Sequence, residues 1–327
     1  MPVFEGSSGT LAMWITFVVV VTGILVLDLG VVNRKSHRPT LRGAALWAGF
    51  CIALAVAFGL WIWHELGRVK ALEFTTAYLL EEALSIDNLF VFLILFRSLA
   101  VPAEHQHRVL FWGILGAVFT RGAFIAAGTA LVQSFDWVFW VFGAVLLLTG
   151  VKLLVQEESE PHPERSPVAR LFMRLFPMTT DYRGSAFFVT ENGRRMATPL
   201  VLALVAAEGT DIVFAVDSIP AVFGLWNDPS QVDPFIVYTS NIFAILGLRS
   251  LYFLLAGIMD RFHYLKYGLA LVLMFIGGKM IAAEAVHWQL PVQWSLLVLL
   301  VLIGGSIVIS LLRPPRPDEE ETPAAGA

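Results

Sequence analysis

Residues 206–220 read Ala206-Ala-Glu-Gly-Thr-Asp-Ile-Val-Phe-Ala-Val-Asp-Ser-Ile-Pro220. They lie inside an apolar run, 199–226, that is long enough to span a membrane. Three carboxylates, Glu208, Asp211 and Asp217, therefore fall where hydrocarbon would surround an ordinary span. Each charged side chain at the centre of a span costs at least about 2.5–3.5 kcal/mol. The stretch therefore predicts a functional site within the membrane, and a cation is the ligand that carboxylates favour.

The composition of the whole chain agrees with a membrane location. Of its 327 residues, 57% are hydrophobic and 15% are charged, and the mean hydropathy is +0.74. A soluble domain would have about 25% charged residues. We therefore predict an all-α, polytopic membrane protein. The single cysteine, Cys51, rules out a disulfide framework or a thiolate metal cluster within one chain.

Nine apolar segments are predicted to span the membrane: 11–32, 42–63, 74–96, 109–133, 137–155, 199–225, 234–257, 264–284 and 292–312. We group them as two N-terminal helices (1–70), a first three-helix repeat (71–157), a cytoplasmic loop (158–197), a second repeat (198–285) and a last helix (286–313). The remaining residues, 314–327, are rich in proline and acidic side chains and are predicted to be disordered.

Lysine and arginine residues are unevenly divided between the two sides of the predicted membrane. Of the 22, 16 lie in connections on one side, two (Arg68 and Lys70) lie on the other, and four lie in or beside apolar runs. Because cytoplasmic loops carry the excess of basic residues, the N-terminus is expected outside and the C-terminus in the cytoplasm.

The cytoplasmic loop has two structural signals of its own. Ser166-Pro167 is predicted to open a short amphipathic helix that lies in the membrane interface, and Asn192-Gly193 is predicted to turn a β-hairpin. This segment is either a linker between the two repeats, which we favour, or a gate or docking element.

Charged residues recur in the same order in spans three to five and in spans six to eight: Asp87, Arg121 and Lys152, then Asp211, Arg249 and Lys279. The Asp-to-Arg separations are 34 and 38 residues, and the Arg-to-Lys separations are 31 and 30. A unit of three spans ends on the opposite side from its start, so the second copy is inverted. Many secondary transporters have such repeats, with the binding site near the midplane where the copies meet.

Acidic residues outnumber basic residues within the predicted spans. The seven acids are Asp28, Glu81, Glu82, Asp87, Glu208, Asp211 and Asp217, and the four bases are Arg121, Lys152, Arg249 and Lys279. Arg121 and Arg249 are expected to pair with acids, but four pairs would still leave three carboxylates without a base. For Asp28, near the inner end of the first span, an interfacial ion pair and a role in ion exit are equally supported.

The residue types in the third and sixth spans restrict the ion. Neither span contains histidine or cysteine, which argues against zinc or copper. The remaining candidates are carboxylates together with side-chain oxygens of Ser85, Asn88, Thr210, Ser218 and Asn241. All-oxygen ligation suits Mn²⁺, Mg²⁺ or Ca²⁺, and spacing does not separate the three.

Helical phase limits how these carboxylates can meet. At about 100° per residue, Glu208 and Asp211 share a face, whereas Asp217 lies about 180° from Glu208. One straight helix cannot aim all three at one ion, so the helix is either buried on all sides or broken. Gly209 and Pro220 are the candidate break points, and we predict a kink near Pro220.

At these residues the chain resembles the TerC/Alx family of integral membrane proteins, and the resemblance covers most of its length. It rests on Glu82 followed by Ser85-Ile-Asp-Asn-Leu-Phe-Val-Phe92, on Asp211-Ile-Val-Phe-Ala-Val-Asp-Ser-Ile-Pro-Ala221, and on Thr198-Pro-Leu200. The resemblance implies a LysE-type inverted-repeat fold, metal homeostasis (chiefly Mn²⁺ export) and a link to tellurite resistance. Carried over residue by residue, it implies a metal site of Glu82, Asp87, Glu208, Asp211 and Asp217, to which Asn88 adds an amide.

Together these patterns predict a multi-pass Mn²⁺ exporter of the bacterial cytoplasmic membrane that works by alternating access. Coupling to inward proton movement is a further hypothesis, because clustered carboxylates can also carry protons. Neither a cofactor nor an enzymatic activity nor a nucleic-acid partner is expected. The main alternative is a scaffold for a tellurite- or stress-resistance complex that acts through residues 160–195. An aspartyl protease is disfavoured because Asp87 and Asp211 lack a Gly-x-Gly-Asp context.

Overall fold

The structure is a computed structural model that describes residues 7–27, 40–135, 137–155, 167–179, 181–191, 193–256 and 264–312. In this part of the chain it contains ten α-helices, a two-stranded hairpin and one short 3₁₀ turn. The elements are α1 (Leu11–Leu27), α2 (Leu41–Leu66), α3 (Arg68–Ser98), α4 (Ala103–Ser134), α5 (Trp137–Val155), α6 (Pro167–Leu175), β1 (Phe188–Glu191), β2 (Arg194–Ala197), α7 (Pro199–Phe223), the 3₁₀ turn (Pro229–Gln231), α8 (Pro234–Leu255), α9 (Leu265–Val286) and α10 (Val292–Leu312).

The fold class predicted from the sequence is confirmed, because the chain is an all-α, polytopic membrane protein. A helix lies at each of the nine predicted spans. Within the described ranges, seven of these helices are both long enough and apolar enough to cross a membrane. Helix α1 is apolar but has 17 described residues, and α3 carries acidic residues along its length. The count of nine spans therefore stays a prediction.

Proline and aspartate fix where α7 and α8 begin. Pro199 and Pro234 occupy the first turns of α7 and α8, where a missing N–H group has no cost. Asp233 caps α8 by accepting a hydrogen bond from the Phe235 N–H (3.1 Å). Most residues of α8 are buried, so this helix lies at the centre of the bundle.

The six helices of the predicted repeats pack crosswise. Helix α3 packs on α8, α4 packs on α7, and α5 packs closely on α9. If a two-fold axis relates the repeats, α3 is equivalent to α7, α4 to α8 and α5 to α9. Such an axis would exchange the α3–α8 contact with the α4–α7 contact, and it would map the α5–α9 contact onto itself. The observed packing has this pattern, although the repeat itself stays a prediction.

Glycines allow α5 and α9 to approach backbone to backbone. A Cβ atom added to Gly143 would lie 3.0 Å from the carbonyl oxygen of Gly277, and one added to Gly150 would lie 2.8 Å from that of Ala270. When Gly150 is aligned with Gly277, Gly143 is aligned with Ala270. The two-fold relation between the repeats therefore exchanges these two contacts. Small residues at a helix interface stabilise a membrane bundle by close packing.

The long connection packs onto the ends of three helices. The predicted hairpin is present, with β1 and β2 antiparallel and Val189 opposite Met196; Asn192 of its turn lies outside the described residues. The hydroxyl of Tyr182 donates to the carbonyl of Leu99 at the end of α3 (2.5 Å), and Arg108 of α4 donates to the Ser185 carbonyl. The predicted short helix is α6, and its position in a membrane interface stays a prediction.

Helix α7 runs without interruption from Pro199 to Phe223. The alternative that this helix is broken at Gly209 is therefore wrong. Pro220 lies inside the last turn, and a kink there stays a prediction. Asp28, predicted to form an ion pair or to act in ion exit, lies outside the described residues. The tail 314–327, which was predicted to be disordered, also lies outside them.

Candidate functional site

Arg121 of α4 lies between two carboxylates in the middle of the bundle. Its Nη1 is 2.5 Å from Oε2 of Glu81 on α3, and its Nη2 is 3.3 Å from Oδ1 of Asp211 on α7. The exposed fractions of the three side chains are 1%, 0% and 5%. The guanidinium group therefore joins three helices, and it does so across the boundary between the predicted repeats.

Several polar atoms around this cluster have no hydrogen-bond partner among the described residues. They are Oδ2 of Asp211, Oε1 of Glu208 and Oγ of Ser85. The amide of Asn241 interacts with the Glu81 carboxylate. Buried polar groups in proteins are nearly always satisfied, so a concentration of unsatisfied oxygens is a feature that requires an explanation. A cation coordinated by oxygen atoms would satisfy them.

A cavity opens beside this cluster, where α3, α4, α7 and α8 meet. Glu208, Asp211 and Arg249 provide its charged lining, and apolar side chains such as Phe92 and Leu248 provide the rest. The prediction that Glu208 and Asp211 share one face of their helix is confirmed, since both line the same cavity. A small, mostly apolar cavity with a few convergent polar groups is the usual form of a ligand site.

Two glycines of α4 make room for the Glu208 side chain. A Cβ atom on Gly116 would lie 2.2–2.4 Å from the Glu208 carboxylate, and one on Gly113 would lie 3.8 Å from its Oε1. The carboxylate thus occupies the space above Gly116 that any larger residue would fill. The sequence contains 26 glycines, and no local pattern distinguishes this one.

Glu82, which the resemblance implies as a metal ligand, faces a different part of the bundle. Its Oε1 accepts a hydrogen bond from the Tyr78 hydroxyl (2.7 Å). It also faces Gly247 of α8, beside Cys51 of α2. Adjacent residues of a helix point about 100° apart, so Glu81 and Glu82 cannot both face Arg121.

Asp217 forms a third polar site, apart from the cavity. Its Oδ1 accepts a hydrogen bond from the Thr149 hydroxyl of α5 (3.0 Å), and the charge of Lys152 acts on the same carboxylate. Lys279, the predicted counterpart of Lys152, is buried and donates from Nζ to the carbonyl of Leu225 (2.6 Å). The structure therefore brings Glu208 and Asp211 together but not Asp217.

The remaining predicted ligands are Asp87 and Asn88 of α3. Asn88 is buried, and the side chain of Asp87 lies outside what the structure describes. Across the described ranges, no three His, Cys, Asp or Glu side chains converge as a metal-binding group. Among the described side chains, a site for a cation therefore rests on the pair Glu208 and Asp211.

Sequence reasoning counted Glu81 among the intramembrane acids but did not place it in the site. The resemblance favoured its neighbour Glu82, and helical phase alone does not tell which of two adjacent acids faces a given partner. Tyr78 was also missed. The spacing of four residues between Tyr78 and Glu82 is the available signal, because residues at that spacing are neighbours on a helix.

Comparison with known proteins gives the family. The sequence profile described as "Integral membrane protein TerC family" matches residues 66–317. The chain belongs to the TerC family. An uncharacterized membrane protein of Myxococcus xanthus is 47% identical over 307 residues, which cover 94% of each chain. The Alx protein of Escherichia coli, described as a candidate membrane-bound redox modulator, is 42% identical over 321 residues, which cover 95% of this chain and 98% of that protein.

This membership extends over nearly the whole chain. An uncharacterized membrane protein of Rickettsia felis is also 39% identical over 300 residues, covering 92% of this chain and 97% of that protein. No solved structure matches the chain. The TerC family match includes every helix from α3 to α10, and therefore both predicted repeats and the cavity between them.

Proposed function

We propose that this TerC family member is a transporter for metal-ion homeostasis that exports Mn²⁺ across the bacterial cytoplasmic membrane. The observation that carries the proposal is the cavity lined by Glu208 and Asp211. Both carboxylates lie on a membrane-spanning helix, and each has an oxygen atom with no hydrogen-bond partner in the described chain. Carboxylates within a membrane are costly, and they usually mark the pathway of an ion.

The chemistry of the cavity supports a hard divalent cation. Its candidate ligands are carboxylate oxygens, and the residues that line it in the described part of the chain include no histidine or cysteine. Oxygen ligands suit Mn²⁺, Mg²⁺ and Ca²⁺, and the TerC resemblance favours Mn²⁺ among them. Glu208 and Asp211 carry two negative charges, the number that one such ion requires, and Arg249 adds a positive charge to the lining.

The packing supports alternating access as the transport mechanism. The cavity lies where α3 and α4 of one predicted repeat meet α7 and α8 of the other. A relative movement of the two repeats would change which side of the membrane reaches Glu208 and Asp211. The distribution of lysine and arginine supports an orientation with the N-terminus outside.

The description of the Alx relatives as candidate redox modulators names no transported ion. An intrachain disulfide needs two cysteines, and this sequence has one, Cys51, which is buried in α2. We therefore relate any redox effect of this chain to its control of cellular manganese rather than to an exchange of its own thiols.

Mn²⁺ uptake into inverted membrane vesicles tests the proposal, because export from the cell becomes uptake there. We expect Asp211→Asn and Glu208→Gln each to reduce uptake by about tenfold or more, since each removes one charge from the ion site. Glu104→Gln is the matched control, because this carboxylate of α4 is 63% exposed. Comparison with and without a pH gradient tests the hypothesis of proton coupling.

The same variants separate transport from the scaffold alternative. If Mn²⁺ uptake and cellular manganese tolerance are unchanged in Asp211→Asn and Glu208→Gln, the export proposal is wrong. If deletion of residues 160–195 abolishes function while both acid variants remain active, the chain acts as a scaffold instead.

A further inference from the structure

Arg121 holds its two carboxylates unequally. The distance from Nη1 to Oε2 of Glu81 is 2.5 Å, whereas the distance from Nη2 to Oδ1 of Asp211 is 3.3 Å. Charge-assisted hydrogen bonds are usually shorter than about 2.9 Å, so the contact with Glu81 is a close one and the contact with Asp211 is longer than usual. Arg121 is therefore held more closely by Glu81 than by Asp211.

Asp211 is shared between Arg121 and the cavity. One of its oxygens, Oδ1, faces the guanidinium group, while Oδ2 has no hydrogen-bond partner among the described residues and the side chain lines the cavity with Glu208. A cation that reaches Asp211 from the cavity would thus approach a carboxylate that already faces a positive charge. Like charges repel strongly at such distances in a buried site, so the two positive groups compete.

We propose that Arg121 is a tethered competitor of the transported cation. Its guanidinium bridges Glu81 and Asp211. When a divalent cation occupies Asp211 and Glu208, the guanidinium remains on Glu81 alone, and it returns to Asp211 as the cation leaves. The inference deepens the proposed function and rests on it.

Such an exchange would solve a problem common to ion transporters. A cavity with several carboxylates binds a divalent ion tightly, whereas transport requires that the ion also leave. A competing guanidinium weakens ion binding. It also keeps Asp211 from becoming an uncompensated buried charge once the site empties.

The alternative is that Arg121 has a purely structural role, in which it joins α3, α4 and α7. Both roles are lost when Arg121 is substituted, so a loss of activity does not distinguish them. The sign of the change in Mn²⁺ affinity does. Arg121→Gln and Glu81→Gln break the same ion pair, yet the competitor role predicts opposite effects on the affinity.

The experiment measures the Kd for Mn²⁺ of the purified full-length protein in lipid nanodiscs, from the electron paramagnetic resonance signal of free Mn²⁺. In Arg121→Gln the competitor is gone, and we expect the Kd to fall by about tenfold or more while transport becomes slower. In Glu81→Gln the tether is gone, so Arg121 pairs with Asp211 more tightly and the Kd rises by about tenfold. A structural role predicts that both variants bind Mn²⁺ more weakly, and that result would overturn the inference.

A double variant tests whether Glu81 itself binds the ion. If Glu81 acts through Arg121, then Arg121→Gln combined with Glu81→Gln binds Mn²⁺ as tightly as Arg121→Gln alone. A double variant that binds more weakly than Arg121→Gln identifies Glu81 as a ligand and contradicts the proposal. Arg68→Gln provides the control, because it removes one exposed positive charge from α3 and is expected to leave the Kd unchanged.

Three further results bear on the inference. If Arg121→Gln does not fold, Glu81→Gln can still overturn the inference, because a Kd that falls or stays constant in that variant contradicts it. If the wild type binds Mn²⁺ and Asp211→Asn abolishes the binding, but Arg121→Gln leaves the Kd unchanged, the inference fails alone. If neither the wild type nor Arg121→Gln binds Mn²⁺, the proposed function fails as well.

Discussion

Lys70 at the start of α3 is joined to Asp233, the residue that caps α8. Its Nζ lies 3.0 Å from Oδ2 of Asp233 and 2.9 Å from Oε2 of Glu73. The other oxygen of Asp233 accepts hydrogen bonds from the N–H groups of Phe235 and Ser8. One lysine therefore fixes the first turns of two parallel helices that reach the cavity at their other ends.

Removal of this lysine should destabilise the bundle. We expect Lys70→Gln to lower the free energy of unfolding by about 1–3 kcal/mol, because it leaves the almost fully buried Asp233 carboxylate without its positive partner. Thermal unfolding of the purified protein in detergent measures the effect. Arg68→Gln, two residues earlier and exposed, should leave the unfolding temperature unchanged. Equal unfolding temperatures for the two variants would show that the ion pair adds nothing.

The contact between α5 and α9 leads to a second prediction, for which the chain provides its own control. A Cβ atom on Gly277 would lie 2.7 Å from the carbonyl oxygen of Gly143, whereas one on the adjacent Gly278 would meet nothing within 4 Å. Gly277→Ala should therefore lower the free energy of unfolding by about 1–3 kcal/mol through overpacking. Gly278→Ala should be neutral or slightly stabilising, since alanine favours a helix. Thermal unfolding of both variants is the measurement, and destabilisation by Gly278→Ala alone would contradict this view of the interface.

The hydrogen bond between Tyr78 and Glu82 can be tested in the same way. Tyr78→Phe keeps the ring but removes the donor to a largely buried carboxylate, so we expect a loss of about 1–3 kcal/mol in the free energy of unfolding. Tyr267→Phe removes a hydroxyl from a ring that is 41% exposed and should have little effect. A double-mutant cycle with Glu82→Gln isolates the coupling between the two side chains. Additive effects in that cycle would exclude a direct interaction.

Residue patterns predicted the helices, the hairpin and the shared face of Glu208 and Asp211, because each of these depends on local sequence. Hydropathy locates apolar helices, Asn-Gly favours a tight turn, and residues three apart lie on one side of a helix. The choice of partner within the membrane did not follow from such patterns. Whether Arg121 reaches Glu81 or Glu82 depends on how α3 is rotated against α4, and that rotation is set by packing across the whole bundle.

The same limit applies to Gly116, whose role depends on a residue far away in the sequence. Nothing in the sequence around Gly116 indicates that the carboxylate of Glu208, 92 positions later, occupies the space above it. Close approach between a helix backbone and a side chain from another element is a property of tertiary packing. A sequence read one segment at a time does not contain it.

Gly116 therefore provides a test of the cavity that removes no charged group. A Cβ atom there would overlap the Glu208 carboxylate at 2.2–2.4 Å, so in Gly116→Ala the carboxylate must move away from its position beside Asp211. We expect Mn²⁺ uptake into inverted vesicles to fall by about tenfold, a loss typical of displaced metal-site residues. Gly113→Ala, one turn earlier on α4, adds the same methyl group at an ordinary contact distance of 3.8 Å and should retain uptake. Equal uptake by the two variants would mean that the position of Glu208 in this cavity does not matter for transport.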